Sequence, residues 1–409
     1  MTRRLKVSVA VSVLAVAAVA AVVGVAVAAA AGSATPGLTK TSIKIGGTFP
    51  LTGPAQLYGV IPKAENAYFQ YVNDHGGVNG RKIKFVYYDD GYNPAQTVPL
   101  TKKLVQQDKV FAVYGSLGTA PILATRDYLN KLKVPQVLVA TGDSYWATQF
   151  KKYPWTTGFQ PDYPGESKVY GQFIRNKVPQ AKIGVLMQDD AYGQNYYNGL
   201  LAGLGDAKAK VVDVEKYDAT QTDVSQQVVK LKASGANVFA LFATPTQTIT
   251  ALAVATKIGW KPVTFINNVS ASPLFMALAQ KSGANVQNDI TATYVYDTIN
   301  NPDTATTKLY ESILAKYDKG ADPNDSLNIY GVASAWTFVN ALKQAGPNPT
   351  RQGLIDALMS MKKVVNPFLY PGVKMSTSKT DHFLIEQQIL EQYKGQAWKP
   401  FGHLFGNAR

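Results

Sequence analysis

The chain has 409 residues, with no cysteine and only three histidines. The lack of thiols excludes thiol catalysis, thiolate metal sites, disulfides and a lipid-modified N-terminal cysteine. A core of the size that this chain can bury is stable without disulfides. His75, His382 and His403 are far apart in sequence, and none belongs to an H-x-H or i, i+4 arrangement. The sequence therefore predicts no metal, no cofactor and no histidine-based catalytic triad.

Long runs of like charge are also missing. Lys and Arg number 41 against 27 Asp and Glu, a formal net charge of +14, yet no Lys/Arg run exceeds two residues. Nucleic-acid binding is one interpretation of such an excess, but the basic residues are scattered over amphipathic segments. We favour a solvated surface that faces an anionic envelope, and we predict no nucleic-acid partner.

Only one long apolar run occurs. Residues 7–31 carry no charge and consist mostly of Val and Ala, and Arg3, Arg4 and Lys6 precede them. Small residues at positions 29–34 offer cleavage sites, so residues 1–34 have the layout of a secretory signal. Because the run is 25 residues long, an uncleaved membrane anchor is the alternative. We expect an exported protein of the periplasm or cell-envelope space, either free or tethered by its N-terminus.

The rest of the chain alternates short apolar strands with helical patterns. Such an alternation predicts parallel sheets covered by helices on both faces. It forms two series, separated by the aromatic and proline-containing residues 153–164, and a last strand pair after residue 383 completes one lobe. We predict an α/β fold of two doubly wound parallel-sheet lobes, with strands at residues 39–49, 83–88, 110–114, 136–140, 182–188, 210–217, 237–243, 263–266 and 290–296.

The segment VFAVYGSLGTAPILATRDYL, residues 110–129, ends a strand in a loop of glycines and hydroxyls before a helix. The loop has no lysine for a phosphate-binding motif and no G-x-G-x-x-G, and Ser116 follows Gly115 directly, so the G-x-S-x-G spacing of a nucleophile elbow fails. The remaining functional interpretation is that backbone N–H groups and Thr119 bind a neutral ligand or a carboxylate. The alternative is that Ser116 and Thr119 only cap the helix.

Two more polar loops follow neighbouring strands of the first series. TGDSYWA contributes Thr141 and Gly142, and PLTGPAQLYG contributes Tyr58, whose ring could cover an apolar ligand or lie on the surface. Because open α/β sheets bind ligands at the carboxyl ends of their strands, these loops together predict a ligand crevice.

Polar loops also follow the strands of the second series. MQDDAYGQNYYNG carries Asp189 and Asp190, which could serve acid–base chemistry or hold a metal. A helix-capping pair with solvated carboxylates is the interpretation that we favour, because no histidine lies nearby. The loops FATPTQT and FINNVSASP offer Thr244, Thr246, Asn267, Asn268 and Ser270.

Taken together, these segments resemble a known family. The resemblance lies in IKIGGTFPLTGPAQLYG, AYFQYVNDHGGVNGRKIKFVYYDDGYNPAQTV, VYGSLGTAP, VPQVLVATGDSYWA, YPWTTGFQPDY, MQDDAYGQNYYNGL and HFLIEQQILEQY. These segments resemble the periplasmic solute-binding proteins of ABC importers with the type I fold, and in particular the branched-chain amino-acid (Leu/Ile/Val)-binding family. The resemblance implies two lobes, joined by three crossovers, that close on a small molecule. Lobe 1 would comprise residues 41–160 plus 297–365, and lobe 2 residues 161–296 plus 366–409.

The resemblance also implies a set of ligand-binding residues. The hydroxyl-and-amide donor after the third strand falls on Thr119, and the carbonyl and hydroxyl after the fourth strand fall on residues 140–142. The aromatic lid falls on Tyr58 and the tyrosine of the second lobe on Tyr192. With the loops of the second series, the expected set is Tyr58, Gly118, Thr119, Ala140, Thr141, Gly142, Tyr192, Thr244, Asn268 and Ser270.

The sequence departs from the family pattern in one important place. Amino-acid binders pair the ligand ammonium with an acidic residue from the loop around residues 267–270, which here contains no acid. A buried ammonium without a partner costs several kcal/mol. Either Asp143 takes this role from the other lobe, or the ligand lacks an α-amino group and is an aromatic or aliphatic carboxylate or a neutral amide. The disulfide of the family is also missing.

We therefore expect a non-enzymatic receptor that captures a small organic solute and presents it to the membrane permease of an ABC importer. Branched-chain or other hydrophobic amino acids belong to the expected solutes, and the receptor is expected to be a monomer. The alternatives are a ligand-sensing protein of the same fold that feeds a signalling partner, and a secreted hydrolase that uses Asp189 and Asp190.

Overall fold

The computed structural model describes residues 35–406, and the leader predicted over residues 1–34 lies outside them. Over the described range, no helix combines the length and the apolar character that a membrane crossing requires.

The first sheet is built from five short parallel strands. They are β1 (Ser42–Phe49), β2 (Lys82–Asp89), β3 (Ala112–Tyr114), β4 (Gln136–Val139) and β5 (Thr156–Gly158). Their order across the sheet is β2-β1-β3-β4-β5. Helices cover both faces of this sheet, and every residue of β1 except the half-buried Lys44 is buried. Burial on both faces is typical of a strand inside a parallel sheet.

Helices connect these strands. They are α1 (Ile61–Asp74), α2 (Pro94–Gln106), α3 (Thr119–Lys131) and the short α4 (Tyr145–Thr148). The start of α2 follows from its sequence, because the Asn93 side chain accepts a hydrogen bond from the Ala95 N–H at 2.9 Å and Pro94 occupies the first helical position.

The second sheet has seven strands. They are β6 (Ile183–Gln188), β7 (Val211–Tyr217), β8 (Val238–Phe242), β9 (Val263–Ile266), β10 (Ile290–Thr293), β11 (Gln387–Lys394) and β12 (Ala397–Gly406). The order is β12-β11-β10-β9-β8-β6-β7, with the pair β11 and β12 added antiparallel at one edge. The helices of this half are α5 (Tyr163–Lys177), α6 (Ala191–Leu204), α7 (Ser225–Ala233), α8 (Pro245–Lys257) and α9 (Pro273–Lys281).

Three later helices return to the first sheet. They are α10 (Ala305–Tyr317), α11 (Ser326–Gln344) and α12 (Arg351–Leu358). The Tyr114 hydroxyl on β3 lies 2.8 Å from the Ser334 hydroxyl on α11, and the Arg351 side chain donates to the carbonyls of Phe111 and Val110. The chain thus passes between the two sheets three times, after β5, after β10 and before β11. The exact lobe boundaries given above stay a prediction.

Helices α5 and α6 approach each other unusually closely, because glycines line their contact. A Cβ atom on Gly203 would lie 2.0 Å from the Lys168 carbonyl oxygen, and one on Gly199 would lie 2.3 Å from the Pro164 carbonyl oxygen. Any side chain at these positions forces the helices apart. Since Tyr163 begins α5 and Ala191 begins α6, this contact also fixes the loops in front of the two helices.

The structure adds elements that the sequence patterns do not predict. Strand β5 lies within residues 153–164, which we interpreted only as a separator, and helices α5 and α9 are further additions. A strand of three residues, Thr-Thr-Gly, is too short to show alternation. The last strand pair is present, but β11 begins at Gln387 instead of residue 383.

Candidate functional site

A cavity lies between the two sheets, where the loops at the carboxyl ends of their strands face one another. The space outside protein atoms is about 590 Å³, including the part open to solvent. None of the side chains that line it is charged. They are Tyr58, Ile61, Tyr92, Leu117, Gly118, Ala140, Gln160, Tyr163, Tyr192, Thr244, Asn268, Val269, Tyr294, Val295, Ser326, Leu327 and Tyr330.

Tyrosines dominate this wall. Six of them line the cavity, all buried, and they come from the connections after strands of both sheets, from the first turns of α5 and α6, and from α11, namely Tyr58, Tyr92, Tyr163, Tyr192, Tyr294 and Tyr330. Burial raises the pKa of each of these phenols well above its ordinary value. The hydroxyls therefore stay neutral at physiological pH, and the wall offers apolar ring faces with uncharged hydrogen-bonding groups.

Neighbouring side chains hold the rings of the second lobe in place. The Asn267 side-chain amide donates to the Tyr192 hydroxyl at 2.7 Å. The Tyr163 and Tyr192 rings pack edge to face, with their centroids 5.2 Å apart. Tyr196, directly behind them, stacks on Tyr163 with a centroid distance of 4.5 Å. This part of the wall is therefore preorganised before a ligand arrives.

The two lobes touch beside the cavity. The Thr246 hydroxyl at the start of α8 donates to the Pro54 carbonyl, in the loop after β1, at 2.9 Å. The Ser272 hydroxyl in front of α9 donates to the Asp325 carboxylate, in front of α11, at 2.8 Å. The molecule is thus closed over the cavity, as a hinged protein is in its ligand-holding form.

The neighbouring acids Asp189 and Asp190 serve different partners, and neither lines the cavity. Asp190 caps α6, because its Oδ1 accepts from the Tyr192 and Gly193 N–H groups while Oδ2 accepts from the Gln188 amide. Asp189 pairs with Lys216 at 2.8 Å on the surface. The expected capping pair is thus confirmed for Asp190 only, whose carboxylate is half-buried, whereas the solvated Asp189 does not cap the helix.

The comparisons with known proteins agree with this architecture. A sequence profile described as periplasmic binding protein matches residues 42–397. The chain belongs to the periplasmic binding protein family. Among its relatives is a Leu/Ile/Val-binding protein homolog 1 from Brucella suis, which is 26% identical over 311 residues, covering 76% of this chain and 80% of the relative.

Solved structures show that this periplasmic binding protein has the type I fold. A branched-chain amino acid ABC transporter protein from Thermus thermophilus with bound valine has a TM-score of 0.79 at 18% identity, covering 91% of this chain and 98% of that one. A fatty acid ABC transporter substrate-binding protein from Thermomonospora curvata has a TM-score of 0.76 at 23% identity, covering 92% and 95%.

Six of the ten residues expected at the binding site of this periplasmic binding protein line the cavity, namely Tyr58, Gly118, Ala140, Tyr192, Thr244 and Asn268. The other four lie behind its wall. The Thr119 and Thr141 hydroxyls are hydrogen-bonded to each other at 2.6 Å. The Gly142 carbonyl accepts a hydrogen bond from the Tyr163 N–H at 2.8 Å. The Ser270 hydroxyl donates to the Ala243 carbonyl at 2.6 Å.

Asp143 also lies outside the wall of this cavity. It is buried in the loop in front of α4, where its Oδ1 accepts a hydrogen bond from the Tyr145 N–H at 2.8 Å. Burial raises its pKa to about 6. Asp143 therefore does not offer a carboxylate to a group inside the cavity.

The sequence reasoning missed four of the six tyrosines. Tyr92 lies in the quoted segment DDGYNP, just after the predicted strand at residues 83–88, so its position was a usable signal, whereas Tyr163, in QPDY, follows β5, which was not predicted. Tyr294 follows β10, inside a segment predicted as strand to residue 296. Tyr330 has no local signal, because only the return of α11 to the first sheet brings it to the cavity.

A buried carboxyl group supports the wall from behind. Glu166 accepts hydrogen bonds from the Tyr170 hydroxyl at 2.8 Å, the Tyr196 hydroxyl at 3.0 Å and the Asn268 N–H at 2.7 Å. Burial nevertheless outweighs these donors and raises the pKa of Glu166 to about 7. Through Asn268 and Tyr196 it positions the loop and the rings that face the cavity.

The stability of the protein is expected to fall with rising pH because of Glu166. Its pKa is about 7 in the folded state and about 4.3 when unfolded. The contribution is therefore fully present below about pH 4.3 and is lost as pH rises through about 7, a change of roughly 4 kcal/mol. Denaturant unfolding from pH 4 to 8 of the wild type and Glu166→Gln measures it. The difference between the two free energies of unfolding should vary across this window, and parallel curves would contradict the assignment.

Proposed function

We propose that the protein captures a small organic solute in the cavity between its lobes and delivers it unchanged to the membrane permease of an ABC importer. The observation that carries this proposal is the closed cavity with its uncharged, tyrosine-rich wall. Periplasmic binding proteins are exported, and we propose that this one works as a monomer. Whether its N-terminus is cleaved or anchors it stays a prediction.

The wall supports a mechanism of closure. Tyr58, Leu117 and Ala140 follow strands of the first sheet, whereas Tyr192, Thr244 and Asn268 follow strands of the second. A solute that contacts both sets binds the closed form better than the open form and so shifts the population towards it. A permease can then distinguish the closed, solute-bound form from the open, empty receptor. No bond of the solute needs to change.

The chemistry of the wall supports a solute with an apolar or aromatic body. Ring faces and aliphatic side chains suit such a body, and hydroxyl and amide groups such as those of Thr244, Asn268 and Gln160 suit a few hydrogen bonds. The names of the relatives, which mention Leu/Ile/Val, valine and fatty acid, also describe solutes with an apolar body.

A binding screen tests this proposal. The free energy of unfolding is measured with branched-chain and aromatic amino acids, with the matched carboxylic acids and amides that lack an α-amino group, and with glucose as a polar control. A solute at one hundred times its dissociation constant should stabilise the protein by about 2.7 kcal/mol. Stabilisation by glucose alone, or by none of the apolar solutes, would contradict the proposed solute class.

A further inference from the structure

A second cavity, of about 530 Å³, adjoins the first near the hinge. Both cavities are lined by Asn268, Val295 and Ser326. One molecule could therefore occupy both cavities at once. The second cavity lies between β10, β11, the crossing after β10 and the start of α11. Unlike the first, it contains carboxyl groups, those of Asp297 and Glu391.

Glu391 faces this cavity from β11. Its neighbour Leu390 packs on the opposite face of the sheet, and its cross-strand partner Thr291 also lines the cavity. Only 5% of Glu391 is exposed. Among residues 35–406, no hydrogen bond or ion pair reaches its carboxyl group. A buried carboxyl group without a partner is costly, and here it lies in a space that a ligand group can enter.

The surroundings of Glu391 are acidic. Burial, followed by the charge of Asp297, raises the pKa of Glu391 to about 8. The phenols of Tyr296 and Tyr370 are the other ionisable groups nearby, and the pKa of Tyr370 is raised first by burial and then by Glu391. The Lys399 ammonium donates to the Asn300 side-chain oxygen, and Asn300 donates to Asp297. No cation of the described chain therefore satisfies Glu391.

We propose that the second cavity is a subsite for a primary ammonium group of the solute, with the Glu391 carboxylate as its acceptor. This inference rests on the proposed function, because the apolar body of the same solute would occupy the tyrosine-lined cavity. An ammonium group is a three-proton donor, and a buried carboxylate gains more from a charged donor than from a neutral one. The subsite supplies the acid that the loop of residues 267–270 lacks.

Matched probes test the subsite. ω-Phenylalkylamines with chains of two to six methylenes are compared with the corresponding alcohols by isothermal titration calorimetry at pH 7. With the wild type, the best amine should bind about 30-fold more tightly than its alcohol, the size expected of a charge-assisted hydrogen bond. With Glu391→Gln this ratio should fall to about one, while the affinity for the alcohol stays within about twofold.

A control and a second readout keep the test independent of folding. Glu311→Gln makes the same side-chain substitution at an exposed acid on α10, away from the second cavity, and should retain the preference for amines. Because the empty Glu391 carboxyl is mostly protonated at pH 7, amine binding should release about one proton. Calorimetric titrations of the wild type in buffers of different ionisation enthalpy measure the number of protons released, and this readout needs no variant.

The outcomes separate the two proposals. Equal affinities for amine and alcohol, a preference for amines that survives Glu391→Gln, or amine binding without proton release would each overturn the subsite while leaving the tyrosine-lined cavity in place. Failure of every amine, every alcohol and every solute of the earlier screen would overturn the proposed function as well.

Discussion

Gly203→Ala is expected to destabilise the protein by about 2–3 kcal/mol and to weaken solute binding, although alanine is the better helix former by about 1 kcal/mol. The added methyl group would lie 2.0 Å from the Lys168 carbonyl oxygen, a distance that real atoms do not reach. Helices α5 and α6 must therefore separate. Because they carry Tyr163 and Tyr192 into the cavity, the change spreads from the helix contact to the wall.

The matched control is Gly353→Ala on α12. There the nearest heavy atom to the new methyl group is a threonine hydroxyl at 3.2 Å, and no backbone of another helix is close. Its free energy of unfolding should stay within about 1 kcal/mol of the wild type. Denaturant unfolding and titration with the best solute of the screen measure both effects. Equal stabilities for the two variants would contradict the close packing of α5 and α6.

Tyr192→Ala is expected to weaken the binding of that solute by about 100-fold, or close to 3 kcal/mol. The substitution removes a ring of the wall and leaves the Asn267 amide, which donates to the Tyr192 hydroxyl at 2.7 Å, without its partner. Tyr192→Phe separates these two losses. It keeps the ring, so the affinity should fall by less than about tenfold, while the unpaired amide lowers stability by about 1–2 kcal/mol.

Tyr145→Ala controls for the loss of a tyrosine elsewhere. Tyr145 is 41% exposed on α4 and does not line the cavity, so its removal should leave the affinity unchanged. Fluorescence titration or calorimetry gives the dissociation constants of the four proteins. A Tyr192→Ala variant that folds and binds as tightly as Tyr145→Ala would mean that the solute binds elsewhere.

Local patterns carry much of the fold. The apolar runs that become β6 and β8 are nearly uninterrupted because both faces of each strand are covered, and proline and asparagine mark the start of α2. Strand β5 escaped prediction because three residues show no period. Helix α5 begins in the segment that separated the two predicted series, so its pattern was not considered.

The site was less accessible to sequence reasoning than the fold. Loops that directly follow strands, such as those of Tyr58, Ala140 and Thr244, were found because the carboxyl ends of parallel strands meet at one edge. Thr119 and Thr141 were expected to bind the ligand through their hydroxyls, but the structure joins these two hydroxyls to each other. A sequence pattern places a residue near the carboxyl edge of a sheet, but it does not show which neighbouring group forms a hydrogen bond with its side chain.

Long-range topology explains why the sequence did not predict the other residues of the two cavities. The loop of residues 267–270 lacks an acid, and Glu391, the acid that we propose in its place, lies on β11, more than 100 residues later in the chain. Glu391 reaches this region only because the chain crosses back and adds β11 to the edge of the second sheet beside β10. Tyr330 reaches the first cavity in the same way, through the return of α11.

The most direct test of the account is the recovery of a solute from the protein. Purified wild type and Tyr192→Ala are exposed to a cell-metabolite extract, exchanged into buffer and denatured, and the released compounds are identified by mass spectrometry. We predict that the wild type releases about one equivalent of a compound with an apolar body, chemically identical to its form in the extract, and that Tyr192→Ala releases far less. Recovery of a hydrolysed product, or equal recovery from both proteins, would contradict the capture of an unchanged solute in the tyrosine-lined cavity.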